Sequence, residues 1–184
     1  MRAALVALVL ASSVHAAAAA DWRAVAGTSR LMFVATYERT PVPGTFRTFD
    51  VRLRLDPAAP ADGALDVTID IASATMQSAD IDAAIAGRDW FDAARFPRAE
   101  FHATSIRQVS DGRFVASGTL TLKGTAQPLE VPFTWSANAA GATMDGEFVV
   151  ERARFRIGEG EWANSATIGP QVTVRFRVTL RAAG

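Results

Sequence analysis

The segment VTVRFRVTLR (172–181) alternates without interruption. Val172, Val174, Phe176, Val178 and Leu180 fall in one phase, and Thr173, Arg175, Arg177, Thr179 and Arg181 in the other. An extended chain points successive side chains to opposite faces, so a period of two this regular makes a strand with one dry and one wet face. DVRLRL (50–55) and LDVTIDI (65–71) repeat it, with Val51, Leu53 and Leu55, then Leu65, Val67, Ile69 and Ile71, in the dry phase. One-sided strands of this kind belong to antiparallel sheets.

Turn residues cut the rest of the chain into similar pieces. Asp62-Gly63, Asp111-Gly112, Lys123-Gly124 and Ala140-Gly141 tolerate positive φ. The pieces predict strands near 30–38, 44–55, 64–73, 98–108, 113–122, 127–136, 142–156 and 170–181. Phe46 and Phe49 cannot share one strict alternation, which predicts a bulge between them. Residues 77–97 break the pattern. Ser78 as a cap, Ile81 and Ile85 one helical turn apart and Pro97 as a stop predict a helix over 79–86 and a second helical turn around 90–95.

Eight amphipathic antiparallel strands with one short helical insertion predict an all-β closed barrel, because closure removes exposed edges. An outer-membrane barrel would turn its dry phase outward between aromatic girdles. With a single tyrosine in the chain, the reading is a barrel with its apolar face inside.

Residues 1–20 read as a secretory signal peptide: Arg2, an apolar run over Ala3–Leu10, then A-x-A sites before Asp21. Removing 20 of 184 residues leaves 164, a barrel domain over 21–184. Without Arg2 the 19 basic residues become 18 against 19 acidic, a near-neutral balance that argues against nucleic acid as a partner. The chain has no cysteine, so its core must hold it together.

Residues for chemistry are few. His102 is the one histidine outside the leader and falls in the wet phase, which leaves neither a catalytic triad nor a zinc site. Asp80, Asp82, Asp89 and Asp92 do not match the spacing of a calcium loop. Glu159, Glu161 and Asp92 are the only carboxylates to nominate for acid–base work, and no catalytic or metal residue is assigned. An eight-stranded barrel is of the size whose interior is either filled or holds one ligand. Ala35, Ala103, Ala116 and Gly118 in the inner phase leave room for one. Arg152 falls on the otherwise apolar phase and needs a partner if buried, with Glu159 or Glu161 as its expected counter-charge at a channel mouth.

The blocks TSRLMFVATY, PGTFRTFDVRLRLD, RDWFDAARFPRAEFHATSI, SGTLTLKGTAQPLEVPFTW and ERARFRIGEGEW, in this order, resemble the YceI-like family of periplasmic lipid-binding proteins. Thr125-Ala126-Gln127-Pro128 stands where relatives usually carry Thr-Lys-Pro, and Tyr37-Glu38-Arg39 where a histidine is common. The resemblance implies a lipocalin-like barrel around a hydrophobic channel, holding a prenyl quinone, a prenyl phosphate or another long amphiphile. It implies no cofactor beyond such a bound lipid or quinone, and a cytochrome b561-type membrane protein as a partner in trans, with the barrel a monomer or homodimer. The expected lining is Leu31, Phe33, Phe46, Val51, Leu53, Val67, Ile69, Phe101, Leu120, Phe133, Trp135, Phe148, Val174 and Phe176. Trp90 and Phe91 would cover one side or act as a lid, and Arg152 would sit at the mouth. Two other readings stand beside this one: an enzyme acting on such a lipid through mouth carboxylates, and a solid-cored structural or interaction barrel.

Overall fold

A computed structural model describes residues 20–183, so the leader predicted over 1–20 lies, Ala20 apart, outside the described residues. Among them, eleven strands form one sheet: β1 (Ala20–Ala24), β2 (Arg30–Tyr37), β3 (Thr40–Phe46), β4 (Phe49–Leu55), β5 (Ala64–Asp70), β6 (Ala74–Thr75), β7 (Arg98–Ser110), β8 (Arg113–Leu122), β9 (Thr125–Asn138), β10 (Gly141–Glu151) and β11 (Gln171–Ala182). A helix, α1 (Ala79–Ala86), stands between β6 and β7.

Several strands are segments of longer ones. β11 pairs with β1 through Leu180↔Ala24 and with β2 through Val174↔Phe33, so β1 and β2 are two parts of one stave. β3 pairs with β2 while β4 pairs with β1, making a second broken stave. β6 continues the edge of β5 against β3. Counted this way, eight antiparallel staves close on themselves, because β1 bonds to both β4 and β11.

The strand expected near 44–55 is therefore two, interrupted at Arg47-Thr48, where alternation requires a bulge. The break lets Phe46 and Phe49 both face inward. β1 was not foreseen. The strand expected over 142–156 stops at Glu151 in a 3₁₀ turn, Arg152–Phe155. The helix forms over the expected residues, and beyond it the Arg95 and Phe96 N–H groups both donate to the Asp92 carbonyl, closing one turn without a further helical element. Ser78 occupies the cap position without a side-chain cap bond. Asp82 ties the helix down instead, accepting from the Thr75 hydroxyl and the Met76 N–H at 2.6 Å each.

The closed ring has one weak seam. β9 and β10 pair only between Gly141↔Asn138 and Asp145↔Thr134, although β9 begins at Thr125 and β10 runs on to Glu151. The Trp135 N–H donates to Gly112 on the β8 side, so odd residues of β9 face β8 and even ones face β10. Pro128 and Pro132 thus place their missing N–H groups on the unpaired edge, where proline costs no ladder bond. The Arg152–Phe155 turn packs against β9, with Phe155 buried. In hydrogen exchange, the seam-facing amides of Glu147 and Val149 are expected to exchange roughly tenfold or more faster than those of Phe148 and Val150, which face β11.

Candidate ligand-binding cavity

Inward positions along a single strand change character with height. In β11, Leu180 and Val178 are 1% and 2% exposed, whereas Phe176, Val174 and Val172, in the same phase, are only half-buried. β4 and β5 repeat the gradient: Leu55, Leu53 and Leu65 are sealed, and Phe49, Val67 and Ile69 are not. The half-buried side chains do not face solvent across the sheet. They look onto an interior cavity of about 560 Å³, within the range of small-molecule sites. The barrel is hollow in one half and solid in the other.

The solid end is packed by aromatics. Trp22 meets Trp135 edge-on at 5.2 Å, and Phe114 stacks on Phe133 at 5.6 Å. Leu53, Phe133 and Trp135, expected on the channel wall, belong to this plug and not to the cavity. Their phase was right but their height was not, since alternation reports which face a residue takes and nothing of its depth. The same correction applies to three of the small residues. Ala103 and Ala116 are sealed in the plug, and a Cβ on Gly118 would come within 2.3 Å of the His102 carbonyl, so these positions bring backbones together rather than leave room. Ala35 alone of the four lies on the cavity wall.

The structure places the other expected residues around the void: Leu31, Phe33, Phe46, Val51, Val67, Ile69, Trp90, Phe91, Phe101, Leu120, Phe148, Arg152, Val174 and Phe176. Gly44 faces Phe33 in register, and a Cβ there would come within 2.1 Å of its ring, so the missing side chain gives the phenyl its place. Phe46 bridges Phe33 and Phe91 at ring distances of 5.2 and 5.9 Å, and Trp90 lies against Trp162 at 5.7 Å. Ile157, Trp162 and Ile168, which complete the wall, come from a loop with no periodicity to reveal them. Leu129 and Val131 were missed although they share the phase of Phe133.

Arg152 holds that loop. Its guanidinium is buried and donates to five backbone carbonyls: Nε to Gly169 at 3.0 Å, Nη1 to Ile157 and Gly158, and Nη2 to Trp162 and Ile168, each at 2.9 Å. All five N–H donors of the side chain are used. The expected carboxylate partner is absent from this set; carbonyl dipoles take its place, and burial holds the guanidinium pKa below its ordinary value. Gly158 has φ +73°, and a Cβ on it would stand 2.5 Å from Arg152 Nη1, so only glycine fits.

Glu159 turns elsewhere. It accepts from Lys123 Nζ at 3.1 Å and from Arg156 Nε at 3.0 Å, while the buried Lys123 also donates to the Arg156 carbonyl at 2.7 Å. These contacts clamp the β8–β9 hairpin to the loop. Lys123 first, then Arg156, hold the Glu159 carboxyl below its ordinary value of 4.5. A depressed carboxyl adds stability that is complete above the unfolded pKa and is lost as pH falls through the folded one. The stability difference between wild type and Glu159→Gln is therefore expected to shrink below about pH 4.5, as followed by denaturant midpoints across pH.

His102 is exposed on the outer face and pairs with Asp66. Among the described residues no cluster of His, Cys, Asp and Glu is arranged to hold a metal ion. No described helix is long and apolar enough to cross a membrane.

A closed antiparallel barrel with an apolar chamber in one half is built to enclose a hydrophobic small molecule. The YceI-like domain profile matches residues 22–180, and the chain belongs to the YceI-like family. Burkholderia cenocepacia BcnA, a solved structure, is 31% identical, with a TM-score of 0.82 over 85% of this chain and 98% of that one. A polyisoprenoid binding domain from Saccharophagus degradans shares the fold at 14% identity, with a TM-score of 0.72 over 88% and 98% of the two chains. A UPF0312 protein of Photorhabdus laumondii is 28% identical over 133 residues, 68% of this chain and 69% of the relative. A Pseudomonas fluorescens UPF0312 protein is 33% identical over 99 residues, about half of each chain.

Proposed function

We propose that the protein binds a long-chain isoprenoid lipid, or an amphiphile of similar shape, and carries or sequesters it in the periplasm after removal of residues 1–20. The observation that carries this reading is the chamber itself: inward side chains that would be sealed in a solid barrel face an apolar void of about 560 Å³. The solid-cored alternative does not account for that void. The polyisoprenoid-binding neighbour has the same fold and lends support.

The wall favours an uncharged headgroup. Among the described residues Arg152 is its only cation and has no N–H to spare, and Asp80 is its only acid. A prenyl quinone fits this better than a prenyl phosphate. An enzymatic role through Glu159 is less well supported, because a carboxylate held ionised by Lys123 and Arg156 is a poor proton donor. A lipid tail exchanges with a membrane rather than with water, so the large gross transfer energy of its burial is nearly balanced on both sides, as carriage requires. The reading extends to exchange with a membrane partner of the cytochrome b561 type.

Delipidated protein titrated with a prenyl quinone and with a prenyl phosphate of equal tail tests this through the fluorescence of Trp90 and Trp162, which line the chamber. Saturable quenching by the quinone is expected, with weaker binding of the phosphate. Failure of both to bind would remove the proposal.

A further inference from the structure

Among the described residues four large apolar side chains are exposed: Tyr37, Ile81, Val109 and Val149. Two of them, Tyr37 at 43% and Ile81 at 44%, lie on the cavity wall, one from the end of β2 and the other from α1. They come from separate elements and line the same cavity, so apolar surface runs from these exposed side chains into the chamber. On the outer face, cross-strand pairs Arg175–Glu147, Arg177–Asp145 and Arg107–Glu130 supply charge, and the other two exposed apolar side chains, Val109 and Val149, are not part of the cavity wall.

From this continuity we propose that the cavity mouth docks transiently on a lipid bilayer, with Tyr37 and Ile81 entering the interface so that a lipid tail moves between membrane and chamber without crossing water. This rests on the reading of the chamber as a lipid site. A bilayer is the occupant that the observations favour, since the rim is the outer end of the path its lipids would take. With residues 1–20 removed, 18 basic against 19 acidic residues supply no strong pull toward anionic membranes. Contact therefore depends on a small apolar patch and is brief, which suits a carrier. The Glu38-Arg39 turn of the β2–β3 hairpin stands directly beside Tyr37, outside the cavity wall, and would face the headgroups.

That placement gives a test that leaves the chamber untouched. Glu38→Lys adds positive charge at the docking face, and Asp111→Lys adds the same charge at the β7–β8 turn, beside the aromatic plug. Transfer of a prenyl quinone from vesicles is followed by quenching of the protein's tryptophans, and docking alone by flotation with vesicles free of quinone. The wild-type transfer rate is expected to rise in proportion to vesicle concentration. Glu38→Lys should raise transfer and flotation about fivefold on vesicles containing anionic lipid, and not on zwitterionic ones, while Asp111→Lys stays near wild type. A rate independent of vesicle concentration, equal gains from the two variants, or a stable dimer in sedimentation that buries the mouth would each overturn the proposal. Flotation gain without quinone uptake would keep the docking face and refute the cargo.

Discussion

Replacing Arg152 by methionine is expected to destabilise the fold by about 3–5 kcal/mol, the range for removing one partner of a buried charged network. Methionine matches much of the bulk but leaves the carbonyls of Gly169, Ile157, Gly158, Trp162 and Ile168 without their donor, each a buried polar group to be rehydrated or reorganised. Lysine should recover less than half of the loss, because three N–H groups on one nitrogen cannot reach acceptors spread around a planar fork. Arg156→Met, at an exposed pair with Glu159, is expected to cost about 1 kcal/mol or less. Equilibrium denaturation of the three variants checks the ranking. The effect reaches the chamber too, since Ile157, Trp162 and Ile168 hang from the same loop. A change within about 1 kcal/mol for Arg152→Met would mean the guanidinium is not what fixes that wall.

The second large effect separates the two halves of the barrel. Val67→Trp puts an indole into the void and is expected to lower affinity for a prenyl quinone at least tenfold, at a stability cost of about 1 kcal/mol or less, since space is there to receive it. Phe133→Ala should do the reverse. It removes a ring stacked on Phe114 in the sealed plug and should cost about 3–5 kcal/mol while the folded fraction binds nearly as before. Paired titration and denaturation of both variants would show whether binding and packing divide at the height where burial changes. If the two swapped their effects, the division would be wrong.

That division also marks how far the residues alone could lead. The strands were legible because a period of two is imposed locally, residue by residue, and the helix over 79–86 because Ile81 and Ile85 set its repeat, although it ends at Gly87 and not at Pro97. Height along the barrel is a tertiary quantity: Leu53 and Val67 look alike in sequence, yet one is sealed and the other faces the void. The pairing of β1 and β2 with β11 was hidden for the same reason, since the closing partner lies at the far end of the chain. Arg152 was singled out by its phase, but its partners were not, because a backbone carbonyl has no sequence signature. The glutamates of ERARFRIGEGEW drew attention as a site, whereas Glu159 serves to clamp a hairpin to a loop.

The most direct test is native mass spectrometry of the protein purified gently from its native cells, followed by organic extraction of whatever it carries. A complex heavier than the bare polypeptide by the mass of an uncharged long-chain lipid is predicted, with the lipid recovered in the extract at about one per barrel. Protein that is bare in every preparation, and that takes up no prenyl quinone once delipidated, would contradict it.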